Sequence, residues 1–261
     1  MASIANILAV FSVLLVCASF ASAGDAIRRR GDDYDDEDKG SQYLPGEVEP
    51  VKLKVLVESL CPGCRQFMLK ELFPTYQLLG PAAIDLEVVV FGNAQIDVDA
   101  KELDCQHGPA ECDANSYEQC AVAIYPHAYR YLPYLHCLDE ELEMGYHDDP
   151  FDAAVFSKCA RKSTLDFQSI KECHNDKDQA WKLQKEASEQ TSDHDYVPWV
   201  EINGKHTFDE DKDDLFTAIC KAYRKQNKGQ SAHPLCPKLS VGETLLSMLA
   251  DAIPMALKTQ G

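Results

Sequence analysis

Two cysteines three positions apart, Cys61 and Cys64, are the residues of this sequence whose type and spacing best suit chemistry. A Cys-x-x-Cys pair can exchange disulfides when its first thiolate attacks and its second thiol resolves the mixed disulfide. The alternatives are a zinc knuckle and a short structural disulfide, but zinc needs a second Cys-x-x-Cys or a histidine pair, and no second Cys-x-x-Cys exists. The spacing favours a redox centre with Cys61 as exposed nucleophile and Cys64 as resolving thiol, needing no metal or other cofactor.

The residues on either side of the pair predict a strand followed by a helix. Apolar residues alternate with lysines in VKLKVLV (51–57), which is the period of a strand. After Cys64, apolar residues recur every three or four positions as far as Leu72, which is typical of a helix. Pro62 suits the first helical position. Cys61 is therefore expected at the helix N-terminus, where unpaired N–H groups and the helix dipole favour a thiolate.

Later segments predict the rest of an α/β domain. Residues 84–91 are typical of a second buried strand, joined to the first by a parallel crossover. Residues 199–202 predict a strand, Asn203-Gly204 a turn into a returning strand that starts at 206–208, and residues 213–224 a closing helix.

A cysteine-rich stretch at about 94–195 separates these two halves. It shows little strand pattern, and helices are predicted over 117–131, 152–160 and 166–188. The order of elements is that of a thioredoxin-like fold with a disulfide-rich helical insertion. In that fold a proline before the last hairpin lies in cis opposite the nucleophile, and Pro198, preceded by Val197, has this place. Its backbone edge would position a substrate, but an ordinary proline that starts a strand fits equally well.

The two ends of the chain are predicted to lie outside this domain. An apolar run from Ile4 ends in Ala21-Ser22-Ala23, which predicts a signal peptide at 1–23. Residues 24–50 contain GDDYDDEDKG and are expected to be a disordered acidic leader or propeptide. The domain is expected at 51–236. The amphipathic tail, 237–261, is a propeptide, a sorting element or a plain helix, and its charges argue against stable membrane insertion.

The number of cysteines agrees with export. The chain has 11, and removal of Cys17 with the signal peptide and of the redox pair leaves eight, enough for four structural disulfides. The eight are Cys105, Cys112, Cys120, Cys137, Cys159, Cys173, Cys220 and Cys236. The formal net charge of −18 argues against nucleic acid or an anionic membrane as a partner.

A second motif, CQHGPAECDANSYEQC, spans Cys105 to Cys120 and is called the signature element below. His107 within it is a candidate general base or substrate contact. On the residues alone, a turn at His107-Gly108-Pro109 pinned by disulfides is the favoured interpretation.

Together these motifs resemble the gamma-interferon-inducible lysosomal thiol reductase (GILT) family. The resemblance lies in the Cys61–Cys64 pair, in VPWVxING at Val197–Gly204, and in the signature element, whose matching residues are Cys105, Gln106, His107, Gly108, Glu111, Cys112, Asn115 and Cys120. It implies a thioredoxin-like enzyme that reduces protein disulfides in an acidic compartment, with a small thiol to recycle it and Pro198 in cis. It leaves open whether the signature element is structural or contacts substrate.

The resemblance also leaves alternatives and sets one chemical requirement. The chain has no Asn-x-Ser/Thr sequon for glycan-dependent sorting, so a lysosome, a vacuole and the extracellular space all remain. A secretory-pathway oxidase or isomerase, or a non-enzymatic binding module, would use the same cysteines differently. A thiol of pKa about 8.5 is only on the order of 0.03% ionised at pH 5. An acid-working reductase therefore needs a much lower pKa at Cys61.

Overall fold

The central sheet has three strands in the order β2-β1-β5. In the computed structural model the described residues are 48–209, 212–227 and 233–236; the predicted signal peptide, nearly all of the acidic leader and the C-terminal tail lie outside them. β1 (Val51–Val57) pairs in parallel with β2 (Ile84–Val90), and antiparallel with β5 (Trp199–Ile202). The predicted parallel crossover is confirmed. β1 is central, and its last three residues are all buried, so its end delivers the chain into the protein interior.

The helix that follows the cysteine pair continues beyond Leu72, past Pro74. It consists of α1 (Pro62–Phe67), a π-helical turn (Met68–Leu72) and α2 (Phe73–Leu79). Proline has no N–H and clashes with the preceding turn of an α-helix. The wider π turn, in which the Phe73 N–H donates to Met68 O, removes that conflict. Gly80, with φ of 62°, then ends the helix.

The insertion begins with a short hairpin and continues with five helices. The hairpin, β3 (Gln95–Asp97) and β4 (Glu102–Asp104), is missing from the sequence prediction because three residues are too few to show a period. The helices are α3 (Pro109–Ile124), α4 (Ala128–Glu141), α5 (Ala153–Lys162), α6 (Phe167–Asn175) and α7 (Lys177–Gln190).

Two predicted helices of the insertion are each two helices in the structure. The predicted helix 117–131 crosses the break between α3 and α4, where Tyr125 precedes Pro126 and is non-helical (φ −122°, ψ 72°). The predicted helix 166–188 is divided at Asp176, whose side chain accepts the N–H groups of Asp178 and Gln179 and so begins α7.

The expected returning strand at 206–208 is wrong within the described residues. After β5 only a bridge between Ile202 and Lys205 forms. The His206 ring instead stacks on Trp199 with centroids 3.4 Å apart, and its Nδ1 lies 3.0 Å from Val200 O. The chain then reaches α8 (Leu215–Gln226), which starts two residues later than predicted.

Four disulfides join the eight cysteines outside the redox pair. Cys120–Cys173 joins α3 to α6, Cys137–Cys159 joins α4 to α5, Cys105–Cys112 joins the end of the hairpin to α3, and Cys220–Cys236 holds residues 233–236 against α8. Among the described residues, Cys61 and Cys64 alone are unpaired.

Removing the Cys120–Cys173 disulfide is expected to destabilise the protein more than removing Cys105–Cys112. Their sequence separations are 53 and 7 residues. The chain-entropy relation gives losses of about 4 kcal/mol for the longer loop and about 2 kcal/mol for the shorter one. Urea unfolding of the two paired Cys→Ala variants would measure both. Equal losses would contradict the entropic account of the insertion's stability.

Candidate active site

Cys61 lies at the junction between β1 and α1, as the sequence predicts. It is the N-cap of α1 (φ −74°, ψ 119°), and Pro62 has the first helical position. The Cys64 N–H donates to Cys61 Sγ at 3.2 Å. Side chains of Ser, Thr, Asp or Asn usually accept this N-cap hydrogen bond; here a sulfur accepts it, and a thiolate sulfur accepts more strongly than a thiol.

The expectation that Cys61 is exposed is wrong. Cys61 is 7% exposed and Cys64 is 2% exposed. The segment around Val197 covers the first turn of α1. The Cys61 Sγ lies 3.9 Å from Val197 O, and a Cβ atom added to Gly63 would lie 3.6 Å from Pro198 Cδ. The Val197–Pro198 peptide bond is cis. The structure thus brings Val197 and Pro198 to the redox pair.

The two thiols have very different acidities. The pKa of Cys61 is lowered to about 6, chiefly because the Cys64 side chain donates a hydrogen bond to it; the N–H groups of Cys64 and Gly63 and the charge of His107 add to this, and burial opposes it. Burial raises the pKa of Cys64 well above its ordinary value, and Cys61 raises it further. At pH 5 a thiol of pKa about 6 is roughly one-tenth ionised. This is the lowered pKa that chemistry in acid requires.

One face of α3 holds the backbone that leads into Cys61. Glu111 Oε2 accepts the Leu60 N–H at 3.3 Å. One turn later, Asn115 Oδ1 accepts the Ser59 N–H at 3.0 Å and the Ser59 hydroxyl at 2.6 Å. Both side chains are fully buried. Two residues of the signature element therefore bind the loop before the nucleophile.

His107 reaches the same place from the turn before α3. Its ring Nδ1 lies 2.6 Å from Glu111 Oε2 and 3.5 Å from Glu58 Oε2. Its backbone N–H donates to Glu111 Oε1 at 2.9 Å. The turn predicted at this point exists, since Gly108 has a φ of 86°, and a Cβ there would meet His147 O. The predicted turn therefore does not exclude a functional role for His107, because the turn itself directs the His107 ring towards Glu111 and Glu58.

The remaining signature residues lie outside this contact. Gln106 accepts a hydrogen bond from the Asn93 side chain at an exposed position. Cys105 and Cys112 bond to each other, and Cys120 bonds to Cys173 in α6. These residues fix the turn and α3, whereas His107, Glu111 and Asn115 face the redox centre.

Sequence reasoning missed Glu58, a 1% exposed carboxyl three residues before Cys61. Its Oε1 accepts the Asn93 N–H at 2.5 Å, while Oε2 has no hydrogen-bond partner among the described residues. Burial, followed by the nearby charge of Glu111, raises its pKa to about 8. The signal in the sequence was an acidic residue inside the apolar run VLVESL at the end of a buried strand.

Two further acidic groups lie deeper behind the pair. Burial raises the pKa of Glu118 in α3 to about 8, opposed by its side-chain interaction with Ser59. Burial, then the charge of Glu118, also raises the pKa of Asp139 in α4 well above its usual range. Neither was a candidate from sequence. The redox centre therefore lies among carboxyls that prefer the protonated, neutral form.

Glu58, His107 and Glu111 are the described residues whose side chains come close enough together to consider a metal ion. Their ligand atoms lie within 4.8 Å of one another. His107 Nδ1 and Glu111 Oε2 are only 2.6 Å apart. Two ligands at about 2.0–2.2 Å from one ion in tetrahedral geometry are more than about 3 Å apart. The observed contact is that of a hydrogen-bonded carboxyl and imidazole.

Comparison with known sequences identifies close relatives. The family model for gamma interferon inducible lysosomal thiol reductase (GILT) matches residues 52–163. A gamma-interferon-responsive lysosomal thiol protein of Arabidopsis thaliana is 32% identical over 187 residues, which cover 69% of this chain and 74% of that protein. The gamma-interferon-inducible lysosomal thiol reductase of Carassius auratus is 32% identical over 193 residues, covering 70% and 72%.

Solved structures with the same fold are bacterial thiol-disulfide proteins. DsbA from Mycobacterium tuberculosis in its reduced state aligns with a TM-score of 0.53 at 13% identity, covering 74% of this chain and 94% of that one. The disulfide bond oxidoreductase DsbG of the same organism aligns with a TM-score of 0.52, also at 13% identity, covering 74% and 89%. At this identity the likeness concerns the fold, which is thioredoxin-like with a helical insertion.

Proposed function

This chain belongs to the gamma-interferon-inducible lysosomal thiol reductase family and is a thiol-disulfide oxidoreductase, and we propose that it reduces protein disulfides at acidic pH through Cys61 and Cys64. The observation that carries the proposal is the acidity of Cys61. A thiol whose pKa is about 6 at a helix N-cap keeps a reactive thiolate fraction in acid that an ordinary cysteine lacks.

The reaction proposed is two successive thiol-disulfide exchanges. Cys61 thiolate attacks one sulfur of a substrate disulfide, that S–S bond breaks, and the leaving sulfur takes a proton as the mixed disulfide forms. Cys64 then loses its proton and attacks Cys61 Sγ, which releases the second substrate thiol and leaves Cys61–Cys64 oxidised. The pair has given two electrons to the substrate. Two molecules of a small thiol return them and leave as its disulfide.

The other site residues have distinct proposed parts. Val197 and Pro198 lie over α1 beside Cys61 Sγ, so a substrate chain would meet their backbone edge next to the nucleophile. His107, Glu111 and Asn115 support the loop that carries Cys61. The enzyme domain is proposed to span residues 51–236, with its helical insertion at about 94–195.

Substrates are proposed to be proteins with accessible disulfides, because Cys61 Sγ lies beside the Val197 backbone carbonyl, where a polypeptide substrate could dock. Membership of the family points to the lysosomal or secretory pathway. Within that pathway we propose an acidic lysosome or vacuole. The low pKa of Cys61 supports this choice.

The test is reduction of a model protein disulfide by the protein from pH 4 to 8, with a small-thiol reductant in excess. We expect turnover to persist at pH 4–5, because the thiolate fraction falls only about tenfold for each pH unit below the pKa. Reactions with the small thiol alone set the background at each pH. Turnover confined to neutral pH would favour a secretory-pathway exchange enzyme, and none at any pH would favour a binding module.

A further inference from the structure

Glu111 contacts three groups around the redox pair at once. It is 0% exposed, and its two oxygens are divided between the turn before α3 and the loop before α1. Oε1 accepts a hydrogen bond from the His107 backbone N–H at 2.9 Å. Oε2 lies 2.6 Å from His107 Nδ1 and accepts the Leu60 backbone N–H at 3.3 Å. One carboxylate therefore connects an imidazole to the Ser59–Leu60 peptide bond, one residue before Cys61.

The spacing within the signature element explains how one helix makes these contacts. Glu111 and Asn115 are four residues apart and so lie on the same face of α3. They accept successive backbone N–H groups, those of Leu60 and Ser59. Gly108, in a positive-φ conformation, turns the chain so that His107 packs back onto Glu111.

The titratable side chains around the redox pair are mainly carboxyls. Glu58 lies at the end of β1, Glu111 and Glu118 on α3, and Asp139 on α4. Among them, Glu58 and Asp139 are coupled electrostatically to Cys61, and a negative charge on either would oppose a thiolate there. On the cationic side, Arg65 in α1 acts on Asp139, and His107 acts on Cys61. Among the described residues, the His107 ring is thus a basic side chain whose charge favours a Cys61 thiolate.

We infer that Glu111 is a positioning residue for the redox reaction: it holds the His107 imidazole against the end of the segment that leads into Cys61, and the Leu60 N–H in place, so that charge on the ring stabilises the Cys61 thiolate. The inference rests on the proposed function and gives the signature element a part in it. A buried carboxylate paired with an imidazole at 2.6 Å fixes the orientation of the ring. Without Glu111, the ring loses its 2.6 Å contact at Nδ1, the His107 backbone N–H loses its acceptor, and so does the Leu60 N–H.

The experiment compares Glu111→Gln, His107→Gln and the double variant with the wild-type protein. Alkylation of Cys61 by iodoacetamide is followed by mass spectrometry of its peptide from pH 4 to 8, beside reduction of a model protein disulfide. We expect each single substitution to move the midpoint of Cys61 alkylation up by about one pH unit and to slow alkylation at pH 5 about tenfold. We expect kcat/KM at pH 5 to fall by a similar factor. Because Glu111 acts through His107, the double variant should show little more than the larger single effect.

His174→Gln is the matched control. This buried histidine also pairs with an acidic residue of α3, with Nε2 3.3 Å from Asp113, and it contacts Ser116 and Tyr117. Its substitution should leave the alkylation midpoint of Cys61 where it is in the wild type. Thermal unfolding of every variant separates a changed site from an unfolded one. If Glu111→Gln does not fold, His107→Gln decides, because that ring is partly exposed.

Folded Glu111→Gln and His107→Gln proteins with the wild-type midpoint, or additive effects in the double variant, would overturn the inference. Failure of the proposed function gives a different result. In that case the wild-type protein itself would reduce no disulfide at pH 4–5, whatever the variants do to alkylation.

Discussion

Replacement of Cys61 by serine is expected to abolish turnover, whereas replacement of Cys64 by serine is expected to stop the reaction after its first step. A serine hydroxyl at position 61 supplies no thiolate, so no mixed disulfide with substrate forms. A serine at position 64 leaves the nucleophile in place but removes the thiol that resolves the mixed disulfide. The Cys64→Ser protein should therefore accumulate covalently linked to substrate. Non-reducing electrophoresis with a disulfide-containing protein would show the adduct, and mass spectrometry would place it at Cys61.

Loss of activity in Cys61→Ser can be separated from loss of structure. Cys61 is the N-cap of α1, and serine is one of the preferred N-cap residues, since its oxygen accepts the same N–H at the start of the helix. The variant should therefore unfold at a temperature close to that of the wild type. A folded Cys61→Ser protein with full activity would refute the assignment. An adduct formed at another cysteine in Cys64→Ser would refute the division of roles.

The location of the redox pair was predictable because it depends on neighbouring residues. Alternating apolar residues before Cys61 specify a strand, the spacing after Cys64 specifies a helix, and Pro62 suits the first helical turn. The same local patterns gave β2 and β5. The predicted helix ends in the insertion were less accurate. The apolar periodicity of the sequence continues across Pro126 and Asp176, whereas the helical backbone is interrupted there.

The surroundings of the pair were not predictable because they depend on contacts between distant segments. Glu111 meets Leu60 across 51 residues, and Asn115 meets Ser59 across 56. The sequence pointed to the signature element, but its motif does not indicate which segment of the folded chain the element packs against. It also gave no estimate of burial for Glu58 or Glu118, whose acidities depend mainly on burial.

Glu118→Gln is expected to make the protein's stability less dependent on pH and to stabilise it at pH 8. Glu118 is 5% exposed, and burial first, then the charge of Glu111, raises its pKa from 4.5 to about 8, although its side-chain interaction with Ser59 lowers it. A folded-state pKa above the unfolded one means that the native protein binds this proton more tightly than the unfolded chain does. The resulting stability is fully present below about pH 4.5 and is lost as the pH rises through about 8. Glu58 has a shift of the same sign.

Glutamine keeps the shape of the Glu118 side chain and is neutral at every pH. The free energy of unfolding should therefore fall less steeply between pH 5 and 8 in the variant, by up to about 1.4 kcal/mol per pH unit. At pH 8 the variant should exceed the wild type by an amount on the order of a few kcal/mol. Urea unfolding at pH 5, 6.5 and 8 measures both, with Glu172→Gln, an exposed glutamate on α6, as control. An unchanged slope would mean that Glu118 is ionised in the folded protein at pH 7. A reduced slope would show that buried carboxyls near the redox pair favour folding in acid, the condition in which Cys61 is proposed to work.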